Sequence, residues 1–229
     1  MTLPSMIRKI LLWAFLIVVA MPVAYVLLLK WVDPPVTMTQ LGSFFEGHGL
    51  RRDYVDFSEM SPNVRLAVMA SEDQLFPDHG GFDVKSIQQA MDYNKRKPGR
   101  VRGASTISQQ TAKNVFLWQG RSWVRKGFEV WFTFLIEALW SKERILEVYL
   151  NVIEMGEGVF GVEAAARHHF GKSARKLTRK EAAMIAACLP NPKAYTIKPM
   201  SRAVARRYPW VLRQMTNLEG DPDMQVLLR

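Results

Sequence analysis

"SPNVRLAVMASEDQLF", Ser61 to Phe76, decides how the chain is read. Ser61 is a natural N-cap, Pro62 fits the first helical position, and Phe76-Pro77 closes the segment, so the stretch is predicted to be a helix. Glu72 and Asp73 then fall in its last turn, where the helix dipole presents negative charge and disfavours carboxylates. Two neighbouring acids also repel each other, and one of them is expected to resist ionisation, which is how a general base is tuned towards neutral pH. The competing reading is an ordinary solvated last turn. The following "PDHGGFD", with Phe76 before it and Pro77 and Gly80-Gly81 inside it, favours an ordered cleft wall.

Helical punctuation continues in both directions from this segment. "TISQ" and "TRKE" read as capping boxes at Thr106/Gln109 and Thr178/Glu181. "SKERILEVYLNVIEMG" starts at a Ser and runs towards Gly156 with Ile145, Val148 and Tyr149 at helical spacing, and "GVEAAARHHFG" ends on a C-capping Gly171. Strand-like alternation is scarce, so a mainly helical domain is expected over 45–229. Residues 31–44 read as a linker, because Pro34 and Pro35 open a stretch to Ser61 in which glycines interrupt any helical period.

Residues 1–30 form a short leader and an apolar run, "ILLWAFLIVVAMPVAYVLLL", Ile10 to Leu29, which carries no charge. About twenty such residues span a bilayer as a helix, whereas the core of a cleaved signal peptide is normally about 7–15 residues, so a retained anchor is the favoured reading. Pro22 is compatible with a kinked span. Arg8 and Lys9 place the N-terminus in the cytoplasm and send the rest outward. Of the 31 Lys and Arg, all but those two lie beyond the leader against 21 Asp and Glu, leaving the outer part at +8 and suited to an anionic ligand. That topology removes nucleic acid as a partner and favours a membrane-bound anionic substrate. The single cysteine, Cys188, sits in apolar sequence and reads as a buried, inert thiol.

Two further clusters carry chemistry. In "GASTISQQTAKN", Thr106, Gln110, Lys113 and Asn114 are spaced to share one helix face, with Arg100 and Arg102 just upstream, a pattern suited to a polyoxyanion. A plain solvated face is the alternative, although such faces are richer in Glu and Lys. In "RKGFEVWFTFLIEALW", Arg125 and Glu129 lie four residues apart beside a very apolar run. The simple reading is a surface ion pair worth about 0.2–0.5 kcal/mol. An acid bordering apolar packing costs stability unless it is used, and with Glu72 it makes a candidate carboxylate pair.

Taken together, "EDQLFPDHGGFD", "GASTISQQTAKN", "RKGFE", "RILEVYLNVIEMG" and "GVEAAARHHFGK" resemble, in order and spacing, the motifs of the monofunctional biosynthetic peptidoglycan glycosyltransferases, relatives of the transglycosylase domain of bifunctional penicillin-binding proteins. The resemblance spans roughly residues 45–215. It implies a lysozyme-like helical fold with a membrane-facing lobe and the polymerisation of lipid II into glycan strands. By the same resemblance, Glu72 is the catalytic base towards the acceptor GlcNAc 4-hydroxyl, and Glu129 is the second catalytic carboxylate, orienting Lys113 and Arg125 or the sugar. Lys113 and Arg125 balance the diphosphate, while Thr106, Gln110 and Asn114 position the donor. Asp73, Phe76 and His79 complete the first motif with partly structural roles. His169 departs from the pattern, standing where an aromatic Tyr is expected.

The resemblance implies an enzyme of the bacterial cytoplasmic membrane whose partners are lipid II, the growing lipid-linked strand, the membrane itself and conceivable cell-wall or division proteins. No cofactor is required, and a divalent cation is not indicated; adjacent His168 and His169 point about 100° apart on a helix and lack a third ligand. A lytic transglycosylase or lysozyme-type muramidase is the alternative activity. "SARK", Ser173 to Lys176, formally matches a transpeptidase S-x-x-K but has no companion motif. A non-enzymatic basic scaffold would explain the charge and not the paired acids.

Overall fold

In a computed structural model describing residues 5–97, 99, 103–120 and 122–229, the chain is built from helices and three very short strands. The apolar run forms one helical rod, Ser5–Leu28. It comprises α1 (Ser5–Phe15), a π-helical turn (Leu16–Ala20) and α2 (Met21–Leu28). Pro22 lies in the first turn of α2, so its missing N–H is accommodated by the widened turn.

The predicted linker contains a helix, α3 (Met38–Phe45). Its cause is legible afterwards: Thr37 and Gln40 form a reciprocal capping box at its start, satisfying two backbone donors. After β1 (Arg51–Arg52) comes α4 (Pro62–Glu72), capped by Ser61 as expected. Every residue from Val64 to Ala70 is buried, as befits a helix that is apolar almost all round. The one charge among them, Arg65, lies over the Phe57 ring at 4.4 Å and donates to the Leu227 carbonyl at 3.0 Å.

Helices α5 (Val84–Arg96), α6 (Ile107–Phe116), α7 (Trp123–Leu139) and α8 (Lys142–Val152) follow. Then come β2 (Glu154–Gly156), β3 (Val159–Phe160) and α9 (Val162–Phe170). The order ends with α10 (Arg179–Cys188), α11 (Arg202–Leu218) and α12 (Pro222–Leu228). Both predicted capping boxes form, and Gly171 ends α9 in the left-handed conformation. The sheet order is β1-β3-β2, with β1 parallel and β2 antiparallel to β3. The helix expected to approach Gly156 stops at Val152, because Glu154–Gly156 pairs with β3 instead.

Two groups of helices result. α4 packs against α10, α11 and α12, while α6 packs against α7, α8 and α3. The first helix belongs to the second group. Val26 and Leu29 are buried in the common core, the Trp140 indole N–H donates to the Val26 carbonyl at 2.8 Å, and Arg144 donates to the Leu29 and Val32 carbonyls. Deleting residues 1–30 therefore does more than remove an anchor: it loses two core side chains worth roughly 1.5–3 kcal/mol each. We expect that deletion to lower the midpoint of thermal unfolding by roughly 10 °C in detergent. A deletion ending at residue 19 keeps the docked turn and should leave the midpoint unchanged; equal midpoints for the two truncations would show that the docking contributes nothing.

Candidate active site

The two helix groups meet at a cleft of about 1100 Å³ lined, among others, by Ser71, Glu72, Thr106, Gln110, Arg207 and Trp210. α4 ends at Glu72, four residues earlier than the sequence suggests, and Asp73 leaves the helix with φ −159°. The two adjacent acids thereby separate. Asp73 is buried; one of its oxygens accepts the Ile107 N–H at 2.9 Å, placing a carboxylate at the positive end of α6, and both approach His79 Nε2 at 3.0 Å. Burial pulls the His79 pKa down, and Asp73 more than offsets this, leaving it raised. Asp73 thus joins the end of α4, the start of α6 and the intervening loop.

That loop is held from behind. The Lys142 ammonium sits 4.6 Å from the centre of the buried Phe76 ring, donates to the His79 carbonyl and pairs with Glu137 at 2.8 Å. Thr106, while capping α6, donates its hydroxyl to the Gly81 carbonyl at 2.7 Å. Gly81 has φ +87°, and a Cβ there would stand 2.8 Å from the side chains of Glu137 and Thr133, so both backbone and space demand glycine. Phe76 and His79 accordingly hold the loop from behind, and neither lines the cleft.

Of the carboxylates lining the cleft, Asp73 is bound to Ile107 and His79 while Asp83 and Asp221 cap α5 and α12, and Glu72 is held by side chains alone. Its Oε2 accepts from Gln110 Nε2 at 3.2 Å, and Gln110 is itself held by the fully buried Tyr149 hydroxyl, which donates to its carbonyl oxygen at 3.1 Å. Its Oε1 accepts from Ser71 at 2.9 Å and faces Arg207 Nη2 at 3.5 Å. Burial, with Glu72 and Asp73 nearby, pushes the Tyr149 pKa well up, so this hydroxyl stays a donor. A fixed carboxylate with one side open to a large cleft is the geometry of a general base.

Glu129 is not among the residues lining that cleft. It lies buried on α7, where one oxygen accepts from Arg125 Nη1 at 2.8 Å and the other from Lys126. Lys113 approaches the same group from α6. Burial, the largest influence, lowers the Lys113 pKa; Glu129 acts in the opposite sense, and Arg125 and Lys126 reinforce the lowering. Lys113 has no ion-pair partner among the described residues, and Arg125 Nε is buried without a hydrogen bond. Three cations around one acid leave an excess of positive charge suited to an incoming polyanion.

The stripe predicted on α6 divides between these two places. Gln110 faces Glu72, Lys113 faces the cations, and Thr106 caps the helix. Asn114 is buried, donating to the Gln110 carbonyl and receiving the Thr39 hydroxyl at 3.3 Å, so it ties α6 to α3. Arg100 and Arg102 lie outside the described residues. His168 contacts Arg51 at 2.9 Å and His169 faces the Met155 carbonyl. Among the described residues no group of three His, Cys, Asp or Glu is placed to hold a metal ion. Burial pushes the Cys188 thiol up to about 12, so it is inert. Sequence reasoning missed Ser71, Arg207 and Trp210 in the cleft and Glu137 and Lys142 behind it. Ser71 adjoins Glu72 on α4 but is not distinguished from any helical serine, whereas Arg207 and Trp210 arrive from α11, distant in sequence and without a local motif.

Comparison with known proteins identifies the family of the chain. The transglycosylase family model matches residues 38–216. A biosynthetic peptidoglycan transglycosylase of Xanthomonas campestris pv. campestris (strain B100) is 47% identical over 97% of this chain and 94% of its own length. Proteins of the same description from Pseudomonas entomophila (strain L48) and Yersinia pestis (strain Pestoides F) are 50% and 51% identical over 95% and 91% of this chain, and 94% and 89% of theirs. With more than two thirds of its length matched at this identity, the chain belongs to the transglycosylase family.

Proposed function

We propose that this chain polymerises lipid II into peptidoglycan glycan strands at the outer face of the bacterial cytoplasmic membrane. The observation that carries the reading is the pairing of an open, fixed carboxylate, Glu72, with a separate cation cluster joined to it by a single helix, α6. A hydrolase needs the first; a transferase whose leaving group is a lipid diphosphate needs both.

Glu72 takes the proton of the acceptor GlcNAc 4-hydroxyl, and that oxygen attacks C1 of the donor MurNAc from the side opposite the diphosphate. The C1–oxygen bond to the diphosphate breaks, the configuration inverts, and undecaprenyl diphosphate leaves with its charge balanced by Lys113 and Arg125. Glu129 holds Arg125 in place through their ion pair, and Gln110 keeps Glu72 turned towards the acceptor. Thr106 and Asn114 act by fixing α6, and Asp73, Phe76 and His79 by fixing the loop beside it. No cofactor enters these steps.

The membrane half of the reading rests on the apolar rod and on α7, whose Trp123, Val124, Val130 and Phe134 are exposed, a surface suited to lipid contact. Purified full-length protein incubated with labelled lipid II should yield polymer, and addition of moenomycin should suppress it. Soluble fragments released from sacculi, with no polymer from lipid II, would instead establish the lytic alternative.

A further inference from the structure

A second cavity, of about 360 Å³, adjoins the cleft, and Pro190, Arg207 and Trp210 line both. One side of it is a single stripe of α11: Ala203, Arg206, Arg207 and Trp210 fall at i, i+3, i+4 and i+7 and share a helix face. Pro190 and Tyr195, from the segment that joins α10 to α11, complete the lining.

The cavity is positively charged, and nothing in it answers the charge. Among the described residues no Asp or Glu lines it. From Ala182 to Leu218 the sequence holds Lys193, Lys198, Arg202, Arg206, Arg207 and Arg213 and no acid. Arg206 is exposed and forms no ion pair among the described residues; its Nε donates to the Arg202 carbonyl at 3.4 Å. Arg207, half-buried beside it, lies 5.3 Å from the centre of the Trp210 ring and reaches Ser71 and Glu72 through Nη2 alone, while its Nε is buried without a hydrogen bond. Two adjacent guanidinium groups repel each other, so an anion arriving from outside is drawn to the pair.

We propose that this cavity binds a carboxylate of the peptide branch that lipid II carries on its muramoyl sugar, and so helps to place that sugar in the cleft. The inference rests on the reading of the substrate as lipid II. Three observations select this occupant. The diphosphate is already matched by the cations around Glu129, so the anion here is a different one. The shared wall lets a group seated in the cavity belong to the molecule that reacts at Glu72. α11 packs on α10 and α4, in the helix group that the first helix does not join, which disfavours a phospholipid headgroup.

The test separates the charge of the peptide from the rest of the substrate. Full-length protein in detergent is given lipid II with free peptide carboxylates or lipid II with the same carboxylates amidated. Wild type should prefer the first by about 5-fold in kcat/KM, through KM, the scale of a partly exposed ion pair. Arg206→Gln, at an exposed position and with folding checked by thermal unfolding, should bring that ratio close to one, and Arg206→Lys should restore part of it. A wild-type ratio of one, an unchanged ratio in Arg206→Gln, or an equal loss on both substrates overturns the proposal. So does a preference that follows the anionic phospholipid content of proteoliposomes and not the carboxylates of the peptide. If wild type polymerises neither substrate, the glycosyltransferase reading itself fails, whereas polymerisation of both at equal efficiency removes only the peptide site.

Discussion

Glu72→Gln should lower polymerisation of lipid II by about 10² to 10⁴-fold, the usual contribution of a positioned base, while unfolding at the wild-type temperature. The amide replaces the carboxylate at nearly the same volume, and Ser71, Gln110 and Arg207 surround it with polar partners, so little packing is lost. KM should change much less than kcat, because the proton acceptor matters when the 4-hydroxyl attacks rather than when the substrates bind. Near-normal turnover by a folded Glu72→Gln protein would remove this residue from the chemistry and leave the cleft without an assigned base.

Lys113→Met is expected to separate function from stability. Lys113 is a desolvated cation beside two others, and its depressed pKa records the cost of keeping it charged in the folded protein. A methionine of similar length removes that cost, so the unfolding midpoint should hold or rise. Loss of a charge-assisted contact to the diphosphate should nevertheless reduce kcat/KM by about 10 to 100-fold. Unfolding followed by fluorescence and turnover of labelled lipid II measure the two effects separately. A destabilised variant, or one that turns over normally, would mean that Lys113 serves the packing of α6 and not an anion. Residues retained at the expense of stability are expected where a ligand supplies the missing partner.

Much of the fold was legible because its helix boundaries are written in local chemistry. Ser61-Pro62, Thr106 with Gln109, Thr178 with Glu181, and Gly171 each act within a few residues, and each appears where expected. The same chemistry at Thr37 and Gln40 was obscured by the prolines and glycines around it. The early end of α4 was not readable either, because the cause is Asp73 reaching residues 79 and 107, and nothing near Asp73 discloses that. For the site, the residue types were legible and their division of labour was not. Glu72 and Asp73 look equivalent in sequence, and only the arrival of Gln110 and Arg207 at one and of His79 at the other separates base from clamp. Arg207 and Trp210 lay in a helix with no motif to distinguish them.

The seam between the first helix and the body makes the membrane a ruler. With Val26 and Leu29 in the core and Trp140 bonded across the joint, the body cannot swing on a leash, and the altitude of Glu72 above the hydrocarbon is set by the fixed joint between the rod and the body. On the proposed topology, a reaction plane at constant height meets every incoming headgroup at the level where it floats. The finished strand then has to slide outward through the cleft, since the enzyme cannot lift off to make space for it.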